Sequence, residues 1–205
     1  MKNYFKKCLN TTIHPVAGFN EIIEKRLFSV PGSLVLCTVL FFAYVLDYHA
    51  TGFAFNYNEL SKFNVAMLIF QVYGGLLIWA LANWAISTLF EGKGRLKEIW
   101  VVTVVATVPH TISLLTKVVL SNVLAPDEGM FLTFILFVGY LWSALLLLVG
   151  LMLLHDYTLW RVIWSSVLSI ASIAAVVFLC VILFTLFQQI TGFFTDIIDE
   201  VTYRL

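Results

Sequence analysis

Long runs of apolar residues, separated by short polar segments, divide the chain. Two of these runs, residues 63–90 and 159–190, each exceed the roughly 20 residues that an α-helix needs to cross a hydrocarbon core. Three more occupy residues 31–46, with a weak extension to residue 55, residues 99–124 and residues 130–154. The runs are continuously apolar, whereas barrel strands would alternate, so the pattern predicts five transmembrane helices.

The composition supports an all-α integral membrane protein. Hydrophobic residues make up 61% of the 205 residues and charged residues only 12%, which is outside the range of water-soluble domains. We expect an N-terminal segment over residues 1–30, a transmembrane domain over residues 31–190 and a short tail over residues 191–205. This division leaves no room for a soluble catalytic domain.

The basic residues are distributed unevenly between the two sets of loops. If the N-terminus is inside, nine Lys and Arg residues fall on the inner side and three on the outer side. Basic residues accumulate in cytoplasmic loops, so the sequence predicts an N-terminus inside and a C-terminus outside. Lys117, near the outer end of the third span, would then extend its ammonium group toward the outer surface.

The segment before the first span, residues 15–29, has the periodicity of an amphipathic helix. Its apolar face carries Phe19, Ile22, Ile23 and Leu27. Pro15 suits the first helical position, where its missing N–H is not needed. The pattern predicts an interfacial helix on the inner membrane surface. Its apolar face would either anchor the segment in lipid or bind a soluble partner.

Polar residues inside the predicted spans are the main candidates for a functional site, because each needs a partner or water. The candidate intramembrane cluster consists of Gln71, Asn83, His110, Ser113 and Lys117. Gln71 and Lys117 have similar predicted depths and could pair, while Asp47 is expected at the outer interface. Two interpretations are open: hydrogen bonding between helices, or a pathway for a substrate or proton.

The sequence carries no recognisable catalytic motif. Gly92-Lys93-Gly94 lacks the upstream glycine spacing and the following Ser or Thr of a phosphate-binding loop. His155-Asp156 has no nucleophile or second metal ligand beside it. The three cysteines have neither metal-site nor disulfide-framework spacing. We therefore expect a non-enzymatic protein without a cofactor or metal.

Several short motifs, taken in order, carry a resemblance to a known family. They are His14-Pro15 with Phe19 and Ile22, then Phe90-x-Gly92-Lys93-Gly94 with Lys97-Glu98 and Pro109, and finally Leu154-His155-Asp156-Tyr157-Thr158. In these motifs the chain resembles the bacterial branch of the Yip1 family over essentially its whole length.

The resemblance implies a five-span protein with a cytoplasmic N-terminus, here in a bacterial cytoplasmic membrane. Eukaryotic relatives look like trafficking factors that bind small GTPases, a role not expected of a chain with so short an N-terminal region. Some bacterial relatives look to be encoded near sugar-uptake ABC transporter components, which implies an accessory subunit that binds other membrane proteins. No nucleic-acid partner is expected.

Two sets of residues follow from these interpretations. The candidate partner or membrane surface consists of Phe19, Ile22, Ile23, Leu27, Gly92, Lys93, Gly94 and Arg95. The alternative function, a small transporter or channel, would use the intramembrane polar residues around His110.

Overall fold

The computed structural model describes residues 2–59 and 62–204, and these residues form helices and loops without a strand. The predicted tail is therefore described only as far as Arg204, and Leu205 lies outside the described residues. The helices are α1 (Lys2–Ile13), α2 (Pro15–Glu24), α3 (Val30–Ala50), α4 (Val65–Ile69), α5 (Gly75–Leu89), α6 (Leu96–Ala106), α7 (Val108–Ser121), α8 (Gly129–His155) and α9 (Leu159–Arg204). A π-helix, Phe70–Gly74, joins α4 to α5, and a 3-10 turn, Pro126–Glu128, precedes α8.

Five helical segments within the described residues are long and apolar enough to cross a membrane. They are Val30–Ala50, Val65–Leu89, Leu96–Ser121, Pro126–His155 and Leu159–Ile198. Side-chain caps fix two of their beginnings: Ser29 Oγ accepts from the Gly32 N–H, and Asn64 Oδ1 accepts from the Met67 N–H. The predicted all-helical, five-span fold is confirmed.

The third span lies at the centre of the bundle. Within its most apolar stretch 72% of the residues are buried, against 28% or fewer in each other span. It consists of α6 and α7, which meet at Thr107, two residues before Pro109. Proline has no N–H and cannot continue a helical hydrogen-bond ladder, so α7 begins as a separate helix with Pro109 in its first turn. This geometry lets α6 pack on α5 and α8, and α7 on α3 and α8.

The N-terminal helices pack against the bundle, which differs from the predicted interfacial helix. Phe19 is 0% exposed and Ile22 is 1% exposed, in one apolar core with residues of α6 and α8. A Cβ atom placed on Gly150 would lie 2.9 Å from Phe19 Cζ, so the ring fills the space beside that glycine. Phe19 and Ile22 are therefore covered by the protein itself. The amphipathic pattern identified the buried face but not what covers it.

Helix α9 is longer than the fifth span predicted from the sequence. It contains 46 residues and does not stop at residue 190. Its first turns pack on α5, with Val162, Ser165 and Ser169 buried. Every residue from 174 to 198 is exposed. At 1.5 Å per residue the helix is about 69 Å long, roughly twice the thickness of a hydrocarbon core.

Candidate functional site

Two of the sequence motifs meet at one end of the bundle, in a cluster that we call the loop site. It joins residues 90–95, between the second and third spans, to residues 155–157, between the fourth and fifth. The Gly94 N–H donates to His155 Nδ1 at 3.2 Å. Lys93 Nζ lies 2.6 Å from Asp156 Oδ2 in an exposed ion pair. Motifs that are more than 60 residues apart in sequence thus form one surface.

The two glycines of Gly92-Lys93-Gly94 make close packing at the loop site possible. A Cβ atom on Gly92 would lie 2.5 Å from His155 Nδ1 and 2.6 Å from Tyr157 Oη. A Cβ atom on Gly94 would lie 2.8 Å from His155 Cε1. These separations are far below a normal carbon contact. The two glycines therefore leave the space that the His155 ring occupies.

Tyr157 holds the two loops together. Its ring stacks on His155 with the centroids 5.0 Å apart, and its hydroxyl donates to the carbonyl oxygens of Ser87 and Phe90, both at 3.3 Å. The Arg161 guanidinium lies 4.9 Å above the Tyr157 ring and also donates to the Phe90 carbonyl. Burial raises the pKa of Tyr157, partly opposed by Arg161. The phenol therefore stays neutral and acts as a hydrogen-bond donor.

His155 has a structural role in this arrangement. Its Nδ1 accepts a hydrogen bond, so the neutral ring carries its proton on Nε2. That Nε2 is buried and has no hydrogen-bond partner in the described part of the chain. Asp156 follows with φ 55° and ψ 40°, a left-handed conformation that ends α8. The observed contacts fix the relative position of two loops.

Lys117, in the candidate intramembrane cluster, pairs with Asp47 of the first span. Lys117 Nζ lies 2.5 Å from Asp47 Oδ1, and the two side chains are only 17% and 19% exposed. Gln71 is exposed and takes no part in this contact. Counting residues along each span gave similar depths for Lys117 and Gln71, but depth alone does not say which helices are neighbours. The partner is on the first span because α7 packs against α3.

His110 lies about two turns before Lys117 on the same helix and contacts two other spans. A hydrogen bond of 2.9 Å joins its Nε2 to Tyr44 Oη of the first span. Its ring stacks on Tyr140 of the fourth span at 4.1 Å, and its backbone N–H donates to Ser143 Oγ at 3.0 Å. Ser113 Oγ donates back to the His110 carbonyl at 2.8 Å. These contacts link the first, third and fourth spans.

A family model for the Yip1 domain matches residues 9–195. The chain belongs to the Yip1 family. With its five apolar spans, it is an integral membrane protein of that family. Comparison with curated proteins and with solved structures gives no match.

The Yip1 domain contains both halves of the loop site, so the resemblance read from the sequence rests on residues that contact each other. Asn83 belongs to a different contact: its Nδ2 donates to Ser169 Oγ of the fifth span at 3.4 Å, and its Oδ1 is buried without a partner in the described chain. The predicted cluster thus separates into the His110 and Lys117 groups, an Asn83 contact and an exposed Gln71.

Sequence reasoning did not predict which residues pair at these sites in the Yip1 domain, and it did not single out Tyr140. Asp47 and the tyrosines Tyr44, Tyr140 and Tyr157 each supply a partner to a residue that the sequence had singled out. A polar residue in an apolar span needs a partner, but pairing it requires knowledge of neighbouring helices. In residues 2–59 and 62–204 no three His, Cys, Asp or Glu side chains come together to hold a metal ion.

Proposed function

We propose that this Yip1-family protein is a non-enzymatic assembly subunit of a complex in a bacterial cytoplasmic membrane. Its binding element would be the part of α9 that projects from the bundle. The observation that carries the proposal is the exposure of every residue from 174 to 198, in a helix that remains rich in large apolar side chains. Four other residues of the predicted partner surface belong to the loop site: Gly92, Lys93, Gly94 and Arg95. They would lie at the opposite end of the fifth span.

The projecting half of α9 is too long to be covered by lipid alone. Roughly 20 residues cross the hydrocarbon core, and even a tilt of about 40° accommodates only roughly 26. A straight helix that begins at Leu159 would leave the core near residue 184. The residues beyond that point therefore need another cover for their apolar side chains.

An apolar stripe runs along this outer part of α9. Its members recur at intervals of three and four residues, as in a helix that binds another helix: Leu183, Leu186, Phe187, Ile190, Phe193, Phe194, Ile197 and Ile198. Gln188, Gln189, Thr195 and Asp196 fall on the opposite face. A contiguous apolar surface with a polar back is typical of a protein interaction site. We infer a helical partner that belongs to another membrane protein.

The first partner class to test comes from the resemblance to bacterial relatives, which implies subunits of sugar-uptake ABC transporters. The protein would be purified from its native membrane in mild detergent and its stoichiometric partners identified. The proposal expects a partner that is lost, at least tenfold, from Phe187→Glu/Phe194→Glu. The matched control, Gln188→Glu/Thr195→Glu, adds the same charge on the opposite face and should keep the partner.

A second candidate function is a small transporter or channel. It is favoured by His110, whose Nδ1 is buried without a partner among the described residues, about two helical turns from the Lys117–Asp47 pair. Against it, the other polar atoms of this group bond to one another across three spans, as interhelical hydrogen bonds do. Purification as a lone oligomer that transports a solute in vesicles would overturn the assembly proposal.

A further inference from the structure

A cavity of about 440 Å³ opens beside the loop site, at the end of the bundle where α8 ends and α6 begins. Four basic side chains line it, from the turn after α2 and from the start of α6: Arg26, Lys93, Arg95 and Lys97. The acidic lining residues are Glu98 and Asp156. The cavity therefore carries a formal excess of two positive charges, four basic minus two acidic.

Both acidic residues are already engaged. Glu98 Oε2 accepts the Arg95 backbone N–H at 2.9 Å, which caps α6. Asp156 pairs with Lys93 at 2.6 Å. Among the described residues, Arg26, Arg95 and Lys97 form no ion pair. Three cations thus line one cavity without an ion-pair partner, and the single charge of Glu98 leaves the excess at two.

The backbone around the cavity is held in an uncommon geometry. Within the described residues, the non-glycine residues with positive φ are Arg26 at 47°, Glu91 at 55° and Asp156 at 55°. Each lies in a turn that supplies or adjoins a wall of the cavity. Such conformations are disfavoured for L-residues and persist only when surrounding contacts fix them. The turn that carries Arg26 and the two turns beside Lys93 are therefore held in defined conformations.

The cavity also has apolar lining residues and lies at the level of the span ends. They are Ile23, Phe28, Leu153 and Leu154. The third span begins at Leu96 and the fourth ends at His155, so the cations are at the depth where a bilayer has its headgroups. A lining with both basic and apolar side chains suits a molecule with both an anionic head and an acyl body.

We propose that this cavity, lined by Arg26, Lys93, Arg95 and Lys97, binds the phosphate headgroup of an anionic phospholipid. Basic pockets between transmembrane helices at the headgroup level recognise lipids in this way. The volume falls in the range of small-molecule sites, which is enough for a glycerophosphate head. The lipid would lock α2, α6 and α8 together at the inner end of the bundle. This site is separate from the projecting part of α9.

The test measures lipid retention by native mass spectrometry on protein delipidated and then titrated with phosphatidylglycerol or phosphatidylcholine. We expect phosphatidylglycerol to bind at least tenfold more tightly. Removal of one basic residue should weaken binding roughly fivefold, so Arg26→Gln/Lys97→Gln should lose roughly 25-fold. Lys6→Gln/Lys62→Gln removes the same charge elsewhere and should bind as the native protein does.

Three outcomes would overturn the proposal. The first is equal retention by native protein and Arg26→Gln/Lys97→Gln. The second is displacement of the lipid by inorganic phosphate at millimolar concentration, which would indicate a site for free phosphate. The third is occupancy by an acidic polypeptide in place of lipid. If the double variant fails to fold, Arg26→Lys/Lys97→Arg keeps the charge and must retain phosphatidylglycerol, whereas single Gln variants must each weaken it.

Discussion

Lys117 and Asp47 form an ion pair that ties the third span to the first, with Nζ 2.5 Å from Oδ1. Both side chains are largely covered, so each charge depends on the other. We expect Lys117→Met to destabilise the protein by about 3 kcal/mol, because it leaves a carboxylate without a counter-ion inside the bundle.

The double variant Lys117→Met/Asp47→Leu provides the control for this prediction. With both charges removed, most of the stability lost in Lys117→Met should return, as in a double-mutant cycle for coupled residues. The measurement is thermal unfolding in a fixed detergent. A Lys117→Met protein as stable as the native one would mean that the ammonium group reaches water and does not need Asp47.

Gly92 and Gly94 have no room for a side chain. Gly92→Ala and Gly94→Ala should each destabilise the protein by about 1–3 kcal/mol, because the added methyl group collides with His155. Gly192→Ala is the matched control: nothing lies within 4 Å of a Cβ atom there, and alanine favours a helix over glycine. Equal stability of the three variants in thermal unfolding would contradict the packing described for the loop site.

The Lys7 and Lys25 ammonium groups both contact Glu21, at 2.9 Å and 2.8 Å, and Lys7 belongs to α1. Hydrogen bonds from Lys25 and then Lys7 lower the pKa of Glu21 to about 2. The folded state therefore favours the ionised form, and its contribution is complete above the ordinary pKa of about 4.5. It is lost as pH falls from there toward 2.

A pair of spin labels on the exposed faces of α1 and α2 would follow this change. The distance between the labels should increase and broaden below about pH 4.5 in the native protein. Glu21→Gln should show the broader distribution already at neutral pH and no further change in this window. A pH-dependent distance in Glu21→Gln would assign the titration to another group.

His110 separates the assembly proposal from transport. Under the assembly proposal, His110→Leu leaves Tyr44 without its hydrogen-bond partner, costs about 1–3 kcal/mol of stability and lowers the yield of complex. Vesicles that contain the protein alone should show no saturable uptake. Uptake by the native protein, abolished in a well-folded His110→Leu variant, would support the transporter instead.

The predicted orientation of the chain rests on the distribution of its charges and has a direct test. A reporter fused after Leu205 should be external, and a single cysteine introduced at Lys97 should react only with reagents that reach the cytoplasm. The basis is the excess of nine inner over three outer basic residues. Labelling of both positions from the same side would remove this topology.

The sequence predicted the spans because burial in lipid requires long apolar runs, and such runs are visible without a structure. It also identified His110 and Lys117, since polar residues stand out in apolar helices. Asp47 was expected near Tyr44 at the membrane interface, but its contact with Lys117 depends on the packing of α3 against α7. Pairing between distant segments is not encoded in local periodicity.

Two other differences have the same origin. Phe19 lies on the predicted apolar face, but an apolar face does not reveal whether lipid or protein covers it. Here protein covers it, because Gly150 of α8 leaves space for the Phe19 ring. The continuation of α9 beyond residue 190 was missed because the apolar run predicted from the sequence ends there, before polar residues such as Thr195 and Asp196. They lie instead on one side of a helix whose other side stays apolar.

The central position of the third span also imposes an order on biosynthesis. The ribosome makes this span before α8, which covers much of it, so for a time its polar groups lack their fourth-span partners. Tyr44 and Asp47 are already present on the first span and can pair with His110 and Lys117 at once. We therefore expect the first and third spans to leave the insertion machinery as a pair. The fourth span would then pack against these two paired helices.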